Sequence, residues 1–263
     1  MHIPFAPEPD YDFLRHDETR MGAASIIKTH LPLDAVVFLL LVGGVLPAAA
    51  IYGFFKLKRT RLFPSKQKQR IQVFCLHGFL LFFSYAVWKA MGLYHALFPS
   101  PIIHLKDAAL GLGTLLLLAA AIYPISKRMC MREPARVYRS LPQSLPEMGV
   151  WAAVSISAGV FEEIAYRGVL FSILMILVHS WWPATLICAA CFGLAHFEGS
   201  ENIIATFVIA ILLQAVVYFT GYLYVAMFIH AAYDFIVGLF CVHFWKQFAS
   251  ARAVETPAPA SIE

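Results

Sequence analysis

The sequence predicts an all-α integral membrane protein, a polytopic bundle of about eight transmembrane helices around a central polar cavity. Three observations predict it. Of 263 residues, 60% are hydrophobic and only 14% charged, against about 25% charged in a soluble domain. The apolar residues fall in runs near the length of about 20 residues that one helical span requires. The basic residues gather in two loops. A net charge of +4 placed that way sets orientation in a membrane, and no nucleic-acid partner is expected.

The candidate spans are 35–55, 71–93, 108–125, 147–167, 168–180, 183–197, 202–219 and 222–245. The pieces 168–180 and 183–197 are only about 20 Å long at 1.5 Å per residue. They read as short, tilted or re-entrant helices. Loop 56–70 carries Lys56, Lys58, Arg59, Arg61, Lys66, Lys68 and Arg70 with no acid. A second loop carries Lys127, Arg128, Arg132, Arg136 and Arg139 against Glu133 alone. Both are cytoplasmic by the positive-inside rule. The organisation is then a polar N-terminal segment 1–34 with six acids and three bases, facing outward; three transmembrane helices within 35–126; a basic cytoplasmic loop 127–145; a block of helices 146–246 that carries the chemistry; and a disordered tail 247–263. A multi-pass protein of a bacterial cell (inner) membrane is expected, with membrane lipid as its constant partner.

The fourth helix has a start signal: Ser144-Leu-Pro-Glu147 reads as a capping box with Pro146 in the first turn. Five cysteines lie mostly inside apolar runs, and Cys188 and Cys191 form a lone CxxC on an apolar helix. Packing explains them better than a disulfide or a metal site.

From Gly168 to Trp245 the only formally charged residues are Glu198, Glu201 and Asp234. Glu198 and Glu201 fall in the polar turn FEGSEN and read as solvated. Asp234 lies deep in an apolar run, four residues after His230. With Glu162, Glu163, Arg167 and His196, these form a set of six polar groups on three apolar segments. Each charge at mid-bilayer costs at least about 2.5–3.5 kcal/mol, so such groups face a bundle interior and mark function. Glu163 and Arg167, at i and i+4, suit an ion pair on one helix face. Glu162 is turned about 100° away and is free to face the histidines as a general base. Counting along the helices from an inner start puts the six groups in the middle or outer half of the bilayer. His77, His95, His104, His179 and His243 have no carboxylate at helical spacing and read as structural. Phe192 reads as packing.

The three segments also resemble a known family. Glu162-Glu163-Ile-Ala-Tyr-Arg167 matches EExxxR, Phe192-Gly-Leu-Ala-His196 matches FxxxH, and His230-Ala-Ala-Tyr-Asp234 matches HxxxN, where Asp also occurs. Their order and spacing over roughly 145–245 resemble the CAAX-protease and bacteriocin-processing (CPBP, Abi) family of intramembrane endopeptidases. The resemblance implies an eight-helix bundle with a cavity open to the membrane. It also implies hydrolysis of a peptide bond in a membrane-anchored or lipidated peptide or protein. In those terms Glu162 activates water with His196 as partner, His230 and position 234 stabilise the oxyanion, and Glu163, Arg167 and Phe192 support the site. A glutamate mechanism needs no cofactor. If a divalent metal such as zinc is present, its ligands are Glu162, His196 and His230, although no HExxH is found. Asp234 departs from the Asn form of the motif, because an ionised carboxylate cannot donate to an oxyanion. The competing classes are a proton- or ion-coupled transporter using the same groups, and a non-catalytic scaffold of the same fold.

Overall fold

The structure is a computed structural model that describes residues 31–60, 64–92, 104–132, 137, 140–198 and 200–248. The expectations for 1–30, for most of the loops 93–103 and 133–139, and for the tail from 249 lie outside the described residues. The elements bounded within them are seven helices, with no strand. α1 runs Leu33–Thr60, α2 Lys66–Met91 and α3 Leu105–Arg132. α4 is one continuous rod over 145–178, α5 is Trp181–Ala195, α6 Ser200–Thr220 and α7 Leu223–Gln247. Five of these are long and apolar enough to cross a membrane: α1, α2, α3, α6 from Asn202, and α7. Phe82, Leu116, Ile204 and Phe228 lie on their outer faces, exposed to where lipid would be.

Two expected spans are corrected here. The pieces 147–167 and 168–180 are not separate helices, because α4 passes through Gly168 without a break. Its α-helical part Leu145–Glu163 continues into a π-helical stretch Ile164–Leu170 and then Phe171–Val178. The inserted turn absorbs the glycine, and the rod ends only at His179, whose φ of 50° closes it. α4 is the interior of the bundle: residues 162–170 are all buried. A helix covered on every side can carry charge without presenting it to lipid.

α1 holds the second π stretch, Leu41–Val45, just before Pro47. Proline has no N–H to give the carbonyl four residues back, which here is Gly43. Cys191 on α5 supplies the missing donor, its Sγ–H reaching Gly43 O at 3.5 Å. Cys188 likewise donates to Tyr166 O, in the π stretch of α4, at 3.2 Å. The CxxC is therefore a pair of free thiols that tie α5 to the two irregular turns, in line with packing.

The direction of each helix follows from its contacts. Glu147 pairs with Lys66 and Arg70, and Ser157 with His77, so α4 runs parallel to α2. Gly159 meets Ala231 while Trp151 meets Gly238, so α7 runs antiparallel to α4. The predicted cap at Ser144 is corrected as well. Its side chain makes no capping bond, and Glu147 instead accepts from the Gln143 N–H at 3.2 Å and from Lys66 Nζ at 2.8 Å. The helix start was placed correctly, but the acid is used to join α4 to α2.

Gly159 sets the distance between α4 and α7. A Cβ built there would lie 2.5 Å from Ala231 N and 2.8 Å from Ala231 Cα. Backbone cannot yield as a flexible side chain can. Gly159→Ala is expected to cost about 1–3 kcal/mol and, by moving Glu162 relative to His230, to lower activity by up to about 100-fold. Gly149→Ala on the same helix meets nothing within 4 Å and serves as the control. Equal thermal midpoints and rates for the two variants would contradict this packing.

Candidate active site

The polar cluster is assembled from α2, α4, α5 and α7. Glu162 and Glu163 stand at the end of the regular part of α4, where the π stretch begins; such insertions recur at functional sites. Glu163 is fully buried, and its Oε1 lies 3.0 Å from Arg167 Nη1 at i+4. The guanidinium also stands 4.4 Å over the Phe192 ring. This is the pair that the spacing predicted. It shares Oε1 with a second partner, since His230 Nδ1–H donates to the same oxygen at 2.7 Å.

Phe192 does more than fill space. Its ring lies 4.4 Å from that of His196, 6.0 Å from His230 and 5.0 Å from Tyr166, centre to centre. It therefore touches Arg167 and both histidines of the cluster. His196 closes α5, and its Nδ1–H donates to Phe192 O at 2.8 Å. Since carbonyl and carboxylate oxygens only accept, both His196 and His230 carry a proton on Nδ1, leaving Nε2 facing inward.

Those two Nε2 atoms face one oxygen. Glu162 Oε2 lies 3.5 Å from His196 Nε2 and 3.9 Å from His230 Nε2. It is buried and has no hydrogen-bond partner among the described residues. The separations exceed direct hydrogen bonds and suit a bridging donor such as water. Asp234 Oδ2 lies 3.7 Å from His230 Nε2, so the i,i+4 pair is an electrostatic neighbour and not a hydrogen bond. The backbone carbonyl of Asp234 accepts Trp151 Nε1–H at 2.8 Å, fixing this turn of α7 to α4. The side chains of His196 and Asp234 are 35% and 26% exposed, against 10% for Glu162. The cluster opens past those two residues.

One residue of the site was read as structural in the sequence. His77 is buried on α2, and its Nε2–H donates to Glu162 Oε1 at 3.0 Å. Its Nδ1 lies 2.9 Å from Ser157 Oγ. No local spacing could reveal this, because the carboxylate lies 85 residues away in sequence on another helix. The one available signal was a histidine in the middle of an apolar run. Of the other histidines, His104 lends its N–H to Asp107, His179 closes α4, and His243 packs against Phe244; His95 lies outside the described residues.

Phe54 and Phe55, immediately before the basic end of α1, pack against Phe197, next to His196. His77 follows Arg70 by seven residues, or about 10 Å along α2. Along the antiparallel α7, His230 follows Leu223 by the same seven residues from the opposite end, so the cluster lies toward the middle of the bundle. The first turn of α4 lies level with the charged start of α2.

Among the described residues no three of His, Cys, Asp and Glu are arranged to hold one ion.

Residues 144–236 match the family described as type II CAAX prenyl endopeptidase Rce1-like. No curated protein and no solved structure matches the chain. The matched stretch contains Glu162, Glu163, Arg167, Phe192, His196, His230 and Asp234, and ends well after the start of α7; His77 on α2 lies outside it.

Proposed function

We propose that this integral membrane protein, whose residues 144–236 belong to the CAAX-protease family, is an endopeptidase that hydrolyses a peptide bond in a membrane-anchored or lipidated substrate. One observation carries the reading. Glu162 presents a buried Oε2, without a hydrogen bond among the described residues, to the Nε2 atoms of two histidines whose Nδ1 protons are already committed.

The reaction follows from that arrangement. A water between Glu162 Oε2 and His196 Nε2 gives its proton to the carboxylate, while the imidazole orients it. Its oxygen adds to the carbonyl carbon and the C=O becomes an oxyanion. His230 stands among Glu163, Asp234 and Glu162 and acts in its doubly protonated form, with those carboxylates as its counter-charges. Nε2–H then donates to the oxyanion. Collapse breaks the C–N bond, and Glu162 returns its proton to the leaving amine. An ionised Asp234 cannot donate to the oxyanion, so its role is to hold charge on His230. Glu163 and Arg167 neutralise one another and hold the ring of His230 in place. Opening past His196 and Asp234, near the basic loops, delivers the cut to the cytoplasmic side of the cell membrane.

The test uses purified full-length protein in liposomes. Two quenched peptides are offered, one ending in a prenylated cysteine followed by three residues and one anchored by an apolar segment. Cleavage at a single bond is expected, with a rate unchanged within about two-fold by a chelator, since the base is a carboxylate. Cleavage of neither peptide, together with proton flux that depends on Glu163 and Asp234, would replace this reading with transport. Loss of cleavage on chelation and its return with zinc would replace the glutamate mechanism.

A further inference from the structure

We propose that His77, on α2, is a positioning residue of this site: it holds Oε1 of Glu162 so that Oε2 is the oxygen offered to water. The inference rests on the reading of Glu162 as the base. It adds a fourth helix to a site that the matched residues confine to α4, α5 and α7.

The terminal torsion of a glutamate is broad and roughly two-fold, so a carboxylate does not choose its own plane. Something must choose it if one oxygen is to meet water between two histidines. His77 is the group that touches the other oxygen, at 3.0 Å and 2% exposed. Its own state is set from behind. Ser157 Oγ lies 2.9 Å from His77 Nδ1 and 2.9 Å from Val154 O, and it has one proton to give. Given to Nδ1, that proton fixes the neutral ring with its hydrogen on Nε2. Given to Val154 O, it leaves Oγ to accept Nδ1–H, and the ring donates from both nitrogens. In either case Nε2–H points at Glu162. The Phe161 ring, with its centre 6.4 Å from that of His77 and tilted 77°, limits the imidazole from the side. A base oriented by a third group, itself oriented by a fourth, is a recurring logic of activated sites.

A histidine that only fills the core would give a different result. Its loss would weaken the fold and spare the turnover of whatever remains folded. The two roles separate in kinetics. Full-length wild type, His77→Leu, His77→Gln and Glu162→Gln are compared in liposomes on the better-cleaved of the two quenched peptides, with thermal midpoints measured alongside. His77→Leu is expected to lower kcat by up to about 100-fold with KM near the wild-type value. His77→Gln keeps an N–H that reaches Oε1 and is expected to recover most of that loss. If His77→Leu does not fold, His77→Met, flexible and without a donor, takes its place. Wild-type kcat in the Leu or Met variant, or equal losses for Gln and the apolar variant, would reduce His77 to packing. Glu162→Gln tells the two ideas apart. Its full activity would overturn the base itself, whereas its inactivity beside an active His77→Leu would overturn only the positioning role.

Discussion

Glu162→Gln is expected to lower kcat for peptide hydrolysis by about 10²–10⁴-fold, the usual contribution of a general base. The substitution keeps shape. A glutamine carbonyl can accept from His77 Nε2–H as Glu162 Oε1 does, and the ion pair of Glu163 with Arg167 lies on another face of α4. What disappears is an oxygen able to take a proton from water. KM is expected to stay near the wild-type value, because the carboxylate acts on water and not on substrate binding. Initial rates over a range of peptide concentrations give both parameters. A glutamine variant with the wild-type kcat would mean that another group activates the water.

Arg167→Met carries the largest expected effect on stability. The side chains of Arg167 and Glu163 are 1% and 0% exposed. Removing one partner of a buried pair leaves an uncompensated charge and costs about 3–5 kcal/mol. Methionine replaces the length of arginine and keeps contact with Phe192, so the loss reports charge more than volume. His230 remains beside Glu163 but is also committed to the site. Adding Glu163→Gln to Arg167→Met is expected to recover part of the stability, since neither charge then remains. Thermal midpoints of the wild type, the two single variants and the double variant in detergent decide it. Additive losses, or an Arg167→Met variant as stable as the wild type, would mean that the pair is not coupled.

What the sequence made legible was whatever one helix contains. Glu163 and Arg167 are four apart, and so are His230 and Asp234; both spacings became contacts, the second without a hydrogen bond. The 100° between Glu162 and Glu163 was enough to send them to different partners. Apolar composition led to a helical chain with membrane-length apolar helices, and the three motif spacings to a family like the one whose model matches residues 144–236. What stayed hidden depends on how helices pass one another. His77 meets Glu162 only because α2 runs parallel to α4, which no periodicity encodes. The π stretch 164–170 let one helix pass through Gly168, a residue that reads locally as an end. Glu147, which reads as a cap, is the acid that aligns α4 with Lys66 and Arg70.

The most direct test of the central claim is the mass of the products formed in oxygen-18 water. Full-length protein in liposomes is given the quenched membrane peptides, and each new C-terminus is weighed. Hydrolysis by a water held at Glu162 predicts one cut per peptide, one heavy oxygen in the new carboxylate, and neither with Glu162→Gln. Intact peptides with the wild-type protein, or the same labelled products from Glu162→Gln, would contradict it.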